Sequence, residues 1–139
     1  MTTFPLLEPF ELTITVESAD IDLLSHVNNV VYVRWIQDVA IAHWDTMASP
    51  ADRQSYFWVI TRHEIDYKAP AVLGDTIIAR TWVGPSSRAR FQRHTEIFRA
   101  RDRRTLARSV AFWCPVDPRT GKPVTLNAET RARFSTGSV

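Results

Sequence analysis

A single cysteine, Cys114, in a chain of 139 residues excludes an intrachain disulfide framework and any zinc site built on paired thiolates. Glycine is scarce as well. With only four in the chain, neither G-x-x-x-x-G-K-[ST] nor G-x-G-x-x-G occurs, which excludes nucleotide cofactors held by such loops. The four histidines, His26, His43, His63 and His94, lack metal-ligand spacing, so no metal is expected. There is no G-x-S-x-G elbow, and serine-hydrolase chemistry has no support. Arg34, Gln37 and Asp38 break the longest apolar stretch well short of the roughly 18 residues that suggest a membrane span. No basic-then-apolar leader opens the chain. The expectation is a cytoplasmic protein with no membrane partner.

What is present is ordinary for a folded chain: 45% apolar and 23% charged residues. The length fits one domain, residues 1–139, with a core that needs no covalent staple. The formal charge of +2 hides an asymmetry, since residues 1–79 sum to −7 and residues 80–139 to +9. Nine arginines fall between Arg80 and Arg108. The planar guanidinium fork suits phosphate, although the exposed faces of antiparallel strands must be polar in any case. Nucleic acid is not expected as a partner, because Phe91, Phe98 and Phe112 are equally accounted for as core.

Leu12, Ile14 and Val16 alternate with Glu11, Thr13, Thr15 and Glu17, which predicts a half-buried strand over 11–17. Asn28 is a candidate N-cap. After it, Val31, Tyr32, Trp35, Ile36, Val39, Ala42 and Met47 recur at helical spacing. Val30, Val33, Ala40, Ile41 and Trp44 widen that stripe towards all-round burial. Ser49-Pro50-Ala51-Asp52 ends or redirects the helix. Strands are predicted at 58–68, 75–83, 89–100 and 105–116, with Gly84-Pro85-Ser86-Ser87 read as a turn. In the last strand Leu106, Val110, Phe112, Cys114 and Val116 share one parity, which predicts that face as the buried one. The order β, α, β, β, β, β predicts an α+β fold, an antiparallel sheet curved around one helix.

The chemistry concentrates in Asp20-Ile21-Asp22-Leu23-Leu24-Ser25-His26-Val27-Asn28-Asn29, at the mouth of that helix. A helix start offers backbone N–H groups without intrahelical partners and the positive end of the dipole, so it can stabilise an anion. This run, continued to Tyr32, resembles the D-x-D-x-x-G-H-V-N-N-x-x-Y pattern of the hotdog-fold acyl thioesterases of the 4-hydroxybenzoyl-CoA thioesterase type. That family includes long-chain acyl-CoA and plant acyl-carrier-protein branches. Ile65 to Asp75 is similar to the family's strand, Y-x-x-P-A and G-D turn, and Cys114 to Pro123 to its last strand and turn.

The resemblance implies a hotdog fold, a curved five-stranded antiparallel sheet wrapped around one long central helix. It implies that Asp22 either attacks the thioester carbonyl or activates a water, that the Asn29 backbone N–H polarises that carbonyl, and that His26 takes the place of the plant branch's catalytic histidine. Asp20 is read as structural. Tyr32, Trp35 and Ile36 are candidate walls of an acyl tunnel or simply packing. Arg88 and Arg90, two apart on one strand, are candidates for the phosphates of coenzyme A, which enters as part of the substrate and not as a cofactor. The chain departs from the family pattern at Ser25 for glycine, at Leu24 for the plant branch's asparagine, and at Gln37 for an acidic residue. The expected activity is hydrolysis of an acyl-CoA or acyl-carrier-protein thioester by a homodimer or homotetramer. The alternative is a non-catalytic subunit that binds acyl thioesters or serves as a scaffold.

Overall fold

The structure, a computed structural model, describes residues 8–135. Five antiparallel strands form one sheet in the order β1-β3-β4-β5-β2, with β1 at Phe10–Thr15, β2 at Phe57–Tyr67, β3 at Thr76–Ser87, β4 at Arg90–Arg99 and β5 at Thr105–Val116. Helix α1, Asn29–Met47, lies between β1 and β2 in sequence and packs on one face of the sheet. Register shifts at Ile60/Arg62, Val83/Ser86 and Ile97/Phe98 bend the strands around it, as bulges do. This is the α+β hotdog architecture expected from the sequence.

The helix buries Val31, Tyr32, Trp35, Ile36, Val39, Ala40, His43 and Trp44. Its opposite face is open to water, carrying Arg34, Gln37, Asp38 and Asp45, and also Val30 and Ile41. The all-round burial read from the apolar excess is therefore corrected. A helix lying on one sheet covers only the stripe that faces it.

The buried parity of β5 is also the reverse of the expected one. Ala107, Ser109 and Ala111 are buried, whereas Val110, Phe112 and Cys114 are only half-buried. Leu106 and Val116 alone of the predicted set are fully buried. The reason is room: small residues face the helix so that it can approach the sheet, and the outer apolar groups are covered by long side chains, with the Arg90 guanidinium 4.0 Å above the Phe112 ring. Gly84-Pro85-Ser86-Ser87 is not a turn but the bulged end of β3, and Arg88 and Ala89 make the connection to β4.

Two short helices escape the periodicity. Ser49 caps α2, Pro50–Ser55, in a reciprocal box with Asp52. Helix α3, Ala128–Phe134, starts at the Asn127 cap and is tied to α2, where Asp52 accepts hydrogen bonds from Thr130 at 3.0 Å and Arg133 at 3.1 Å.

The core is divided. Under the first turns of α1 lies a largely aliphatic cluster including Val31, Val39, Ile77, Ile97 and Leu106. Under its last turns lies an aromatic one of Trp44, Phe91 and Phe134, with Tyr56, Trp58 and Trp113 packed against it. Between them Thr81, Arg93, Thr95 and Ser109 form a band of buried polar residues on β3, β4 and β5.

Candidate active site

Asp20 and Asp22 are two residues apart and live in different surroundings. Asp20 is 4% exposed; it accepts hydrogen bonds from the Glu17 N–H at 3.0 Å and from Arg34 at 2.8 Å. Burial alone would push its carboxyl up, but those two donors together hold it below the usual carboxylate range. It staples the start of the loop to the helix.

Asp22 begins the turn itself. Its N–H donates to the His26 carbonyl at 2.8 Å, its carbonyl accepts from the Ser25 N–H at 3.1 Å, and one carboxylate oxygen accepts from the Leu24 N–H at 2.8 Å. Ser25 sits at φ +62°, in the left-handed region that glycine adopts cheaply. The serine at this family glycine position therefore keeps the backbone shape and bears its steric cost. Below the turn, the Val27 N–H donates to the Ala71 carbonyl and the Asn28 N–H to the Asp20 carbonyl, both at 2.9 Å.

That anchorage delivers the helix start. Asn28 is the N-cap, and its side chain accepts from the Val30 N–H at 3.0 Å while its carbonyl accepts from Val31 at 2.9 Å. The Asn29 N–H is left without a hydrogen-bond partner among the described residues. It is a free donor at the positive end of a 19-residue helix. The Asn29 carbonyl accepts from the Tyr67 hydroxyl at 3.2 Å, which fixes the helix against the end of β2.

An open cleft of about 390 Å³ runs along these groups. Asp22, His26, Asn29 and Tyr32 all line it, so four of the residues singled out in the sequence come together. His26 is exposed and its ring makes no hydrogen bond to another described residue. Tyr32 is 2% exposed; burial pushes its phenol up, and its oxygen accepts from the Ala71 N–H at 3.0 Å. The opposite wall is Tyr67, Lys68, Ala69 and Pro70. The sequence reading passed over Tyr67 and Lys68 as site residues, although the Y-x-x-P-A segment that contains them was the available signal.

The remaining four candidates are elsewhere. Trp35 and Ile36 are each 1% exposed within the aliphatic cluster and do not line the cleft. Arg88 and Arg90 lie at the Ser87↔Arg90 end of the β3–β4 ladder, whereas the cleft adjoins the other end, where Arg99 donates to the Pro70 carbonyl at 3.3 Å. Ten residue steps of β3, from Ile77 to Ser87, separate the two ends, a span of roughly 30 Å at strand rise. Within one chain, Arg88 and Arg90 cannot share a small ligand with Asp22. Among the described residues that line the cleft, Lys68 is the cation.

The mouth carries unusual apolar exposure. Leu23 is fully exposed, and Leu24, Val30 and Tyr67 are 75%, 72% and 44% exposed, beside the edge of β2 that pairs with no strand among the described residues.

Residues 16–134 match the thioesterase-like superfamily. No curated protein sequence matches the chain. Among solved structures, the chain is similar to Slr0204, a 1,4-dihydroxy-2-naphthoyl-CoA thioesterase from Synechocystis, at 20% identity and TM-score 0.78, over 91% of this chain and 96% of the other. It is similar to a thioesterase from Thermus thermophilus crystallised with coenzyme A and zinc, at 21% identity and TM-score 0.79, over 96% and 94%. A third likeness is to YbaW, a probable thioesterase from Escherichia coli, at 21% identity and TM-score 0.76, over 89% and 95%. At these identities the structures speak for the shared fold.

Proposed function

Because the chain belongs to the thioesterase-like superfamily, we propose that it hydrolyses an acyl-CoA or acyl-carrier-protein thioester to a carboxylic acid and a free thiol. One observation carries the assignment of roles: the Asp22 carboxylate and the unpaired Asn29 N–H face one open cleft. The thioester carbonyl oxygen binds at the helix start, where a fixed N–H and the helix dipole stabilise the oxyanion as it develops. Asp22 then acts in one of two ways. As a base it takes a proton from water, whose oxygen adds to the carbonyl carbon. As a nucleophile it forms an acyl anhydride, expelling the thiolate, and water later releases the acid. The Asx turn to Leu24 holds one carboxylate oxygen, and the other has no donor among the described residues.

In this reading His26, which lines the cleft, gives a proton to the leaving thiolate, and Tyr32 is the floor against which the acyl group lies. Lys68 is the candidate partner for a substrate phosphate. The apolar mouth and the free β2 edge support a homo-oligomer whose second copy covers both.

A steady-state screen of acyl-CoAs with a thiol-reactive dye tests the reading, with Asp22→Asn as the control that must lose turnover. The alternative, a binding subunit without turnover, is favoured by the Asp22–Leu24 bond, which also suits a carboxylate that only caps a turn. Saturable acyl-CoA binding with no hydrolysis of any acyl class selects that alternative.

A further inference from the structure

Under the last turns of α1, at the other end of the molecule from the Asp22 cleft, lies a small cavity of about 60 Å³ walled by aromatic rings. It has room for about four water-sized groups. Ile41, 55% exposed on α1, is part of its wall and marks where it meets the surface.

Its lining is apolar except for donors. Arg93 is 4% exposed, and one guanidinium nitrogen donates to His43 Nδ1 and to Thr81 Oγ1, both at 3.0 Å. A guanidinium can only donate, so His43 Nδ1 is an acceptor and the imidazole is neutral. The guanidinium carbon also stands 5.2 Å from the centre of the Phe134 ring. Among the described residues no carboxylate pairs with Arg93. Burial lowers its pKa to about 9, which leaves it charged at neutral pH. Trp58 and Trp113, in the same lining, each bury an indole N–H with no acceptor among the described residues. A charge taken out of water without a counter-ion is costly, and so is each unmet donor. Water in the cavity would solvate the guanidinium but not neutralise it. A bare inorganic anion would neutralise it but leave the ring walls unfilled.

We propose that this cavity binds a small monocarboxylic acid, its carboxylate paired with Arg93 and its short apolar body held against Trp44, Phe134 and the indoles of Trp58 and Trp113. The volume takes the carboxylate end of such an acid, and the remaining carbons of butyrate, like those of any longer chain, extend past Ile41. The proposal is independent of the thioester reading.

The test is calorimetry and tryptophan fluorescence on the full chain, titrated with butyrate, with butan-1-ol as the uncharged counterpart and with chloride as the bare anion. Saturable binding of butyrate, at least tenfold tighter than that of either control, is expected. Arg93→Met should weaken butyrate at least tenfold and leave butan-1-ol unchanged. Ile41→Trp, which narrows the mouth while keeping Arg93, should weaken both organic probes and serves if Arg93→Met fails to fold. Equal affinity for butyrate and butan-1-ol, chloride binding as tight as butyrate, an unaffected Arg93→Met, or no saturable butyrate binding up to the solubility limit would each overturn the proposal.

Discussion

The two ends of α1 meet the sheet in opposite ways. At the N-terminal end a tight turn, held by backbone bonds to Asp20 and Ala71, keeps the helix start in an open cleft with a free N–H and an exposed apolar rim. At the C-terminal end α3 folds over the helix, and Phe134 packs against Trp44, Trp58, Phe91 and His43 to seal an aromatic cluster around a buried cation. The open end keeps polar groups available by leaving them wet. The other end holds one charge away from bulk water, at a cost that a ligand or strong packing offsets. Packing and chemistry are thus divided between the ends of a single helix.

The largest expected effect tests whether α3 is the seal. Phe134→Ala removes the ring common to four aromatic contacts and should destabilise by about 3–5 kcal/mol in denaturant melts. A loss below about 1 kcal/mol would make α3 an ornament and dissolve the contrast. Next, Asp22→Asn should lower kcat at least about 100-fold, equivalent to about 2.7 kcal/mol, with the melting temperature unchanged. A fully active variant removes Asp22 from the chemistry.

The ends should also differ in acid. His43 is neutral in the fold because burial, aided by the Arg93 charge, lowers its pKa from 6.5 to about 3. Between those values the unfolded chain binds the extra proton, so stability falls as pH drops from 6.5 towards 3, by about 1.4 kcal/mol per unit. His43→Gln, which keeps an acceptor for Arg93, should flatten that slope. Asp20, whose pKa is lowered from 3.8, stabilises above that value and loses its contribution only as pH falls through its folded pKa. Asp20→Asn should therefore alter the profile below about pH 4 and leave the His43 window intact. Melts at stepped pH on the three proteins check both windows; one common window would erase the distinction. The smallest effect is Ser25→Gly, which relieves the left-handed serine and should stabilise by up to about 1 kcal/mol in the same melts without loss of activity.

The open end was largely legible in the sequence because its groups are neighbours along the chain. Asp22, His26, Asn29 and Tyr32 span eleven residues, and a turn followed by a capped helix brings them together by local geometry. Tyr67 and Lys68 were missed because they arrive from β2, through long-range strand pairing. The parity of β5 was misread because hydrophobicity was taken as the mark of the inner face, whereas Ala107, Ser109 and Ala111 are inside for their size. Arg88 and Arg90 were chosen for charge, a shared strand face and a place at the sheet's rim, and strand length puts that rim at the far end of the ladder from Asp22 within one chain.

By itself the sequence determined the order of the main elements, the capped start of α1 and the loop that presents Asp22, since propensity, capping and turn chemistry act over a few residues. Only the tertiary structure decided the closed end. Trp44, Trp58, Phe91, Trp113 and Phe134 come from five different elements, and Arg93 alternates along β4 like any exposed strand arginine until the register places it under the helix. Burial of a charge depends on what other segments cover it, and no local pattern carries that information.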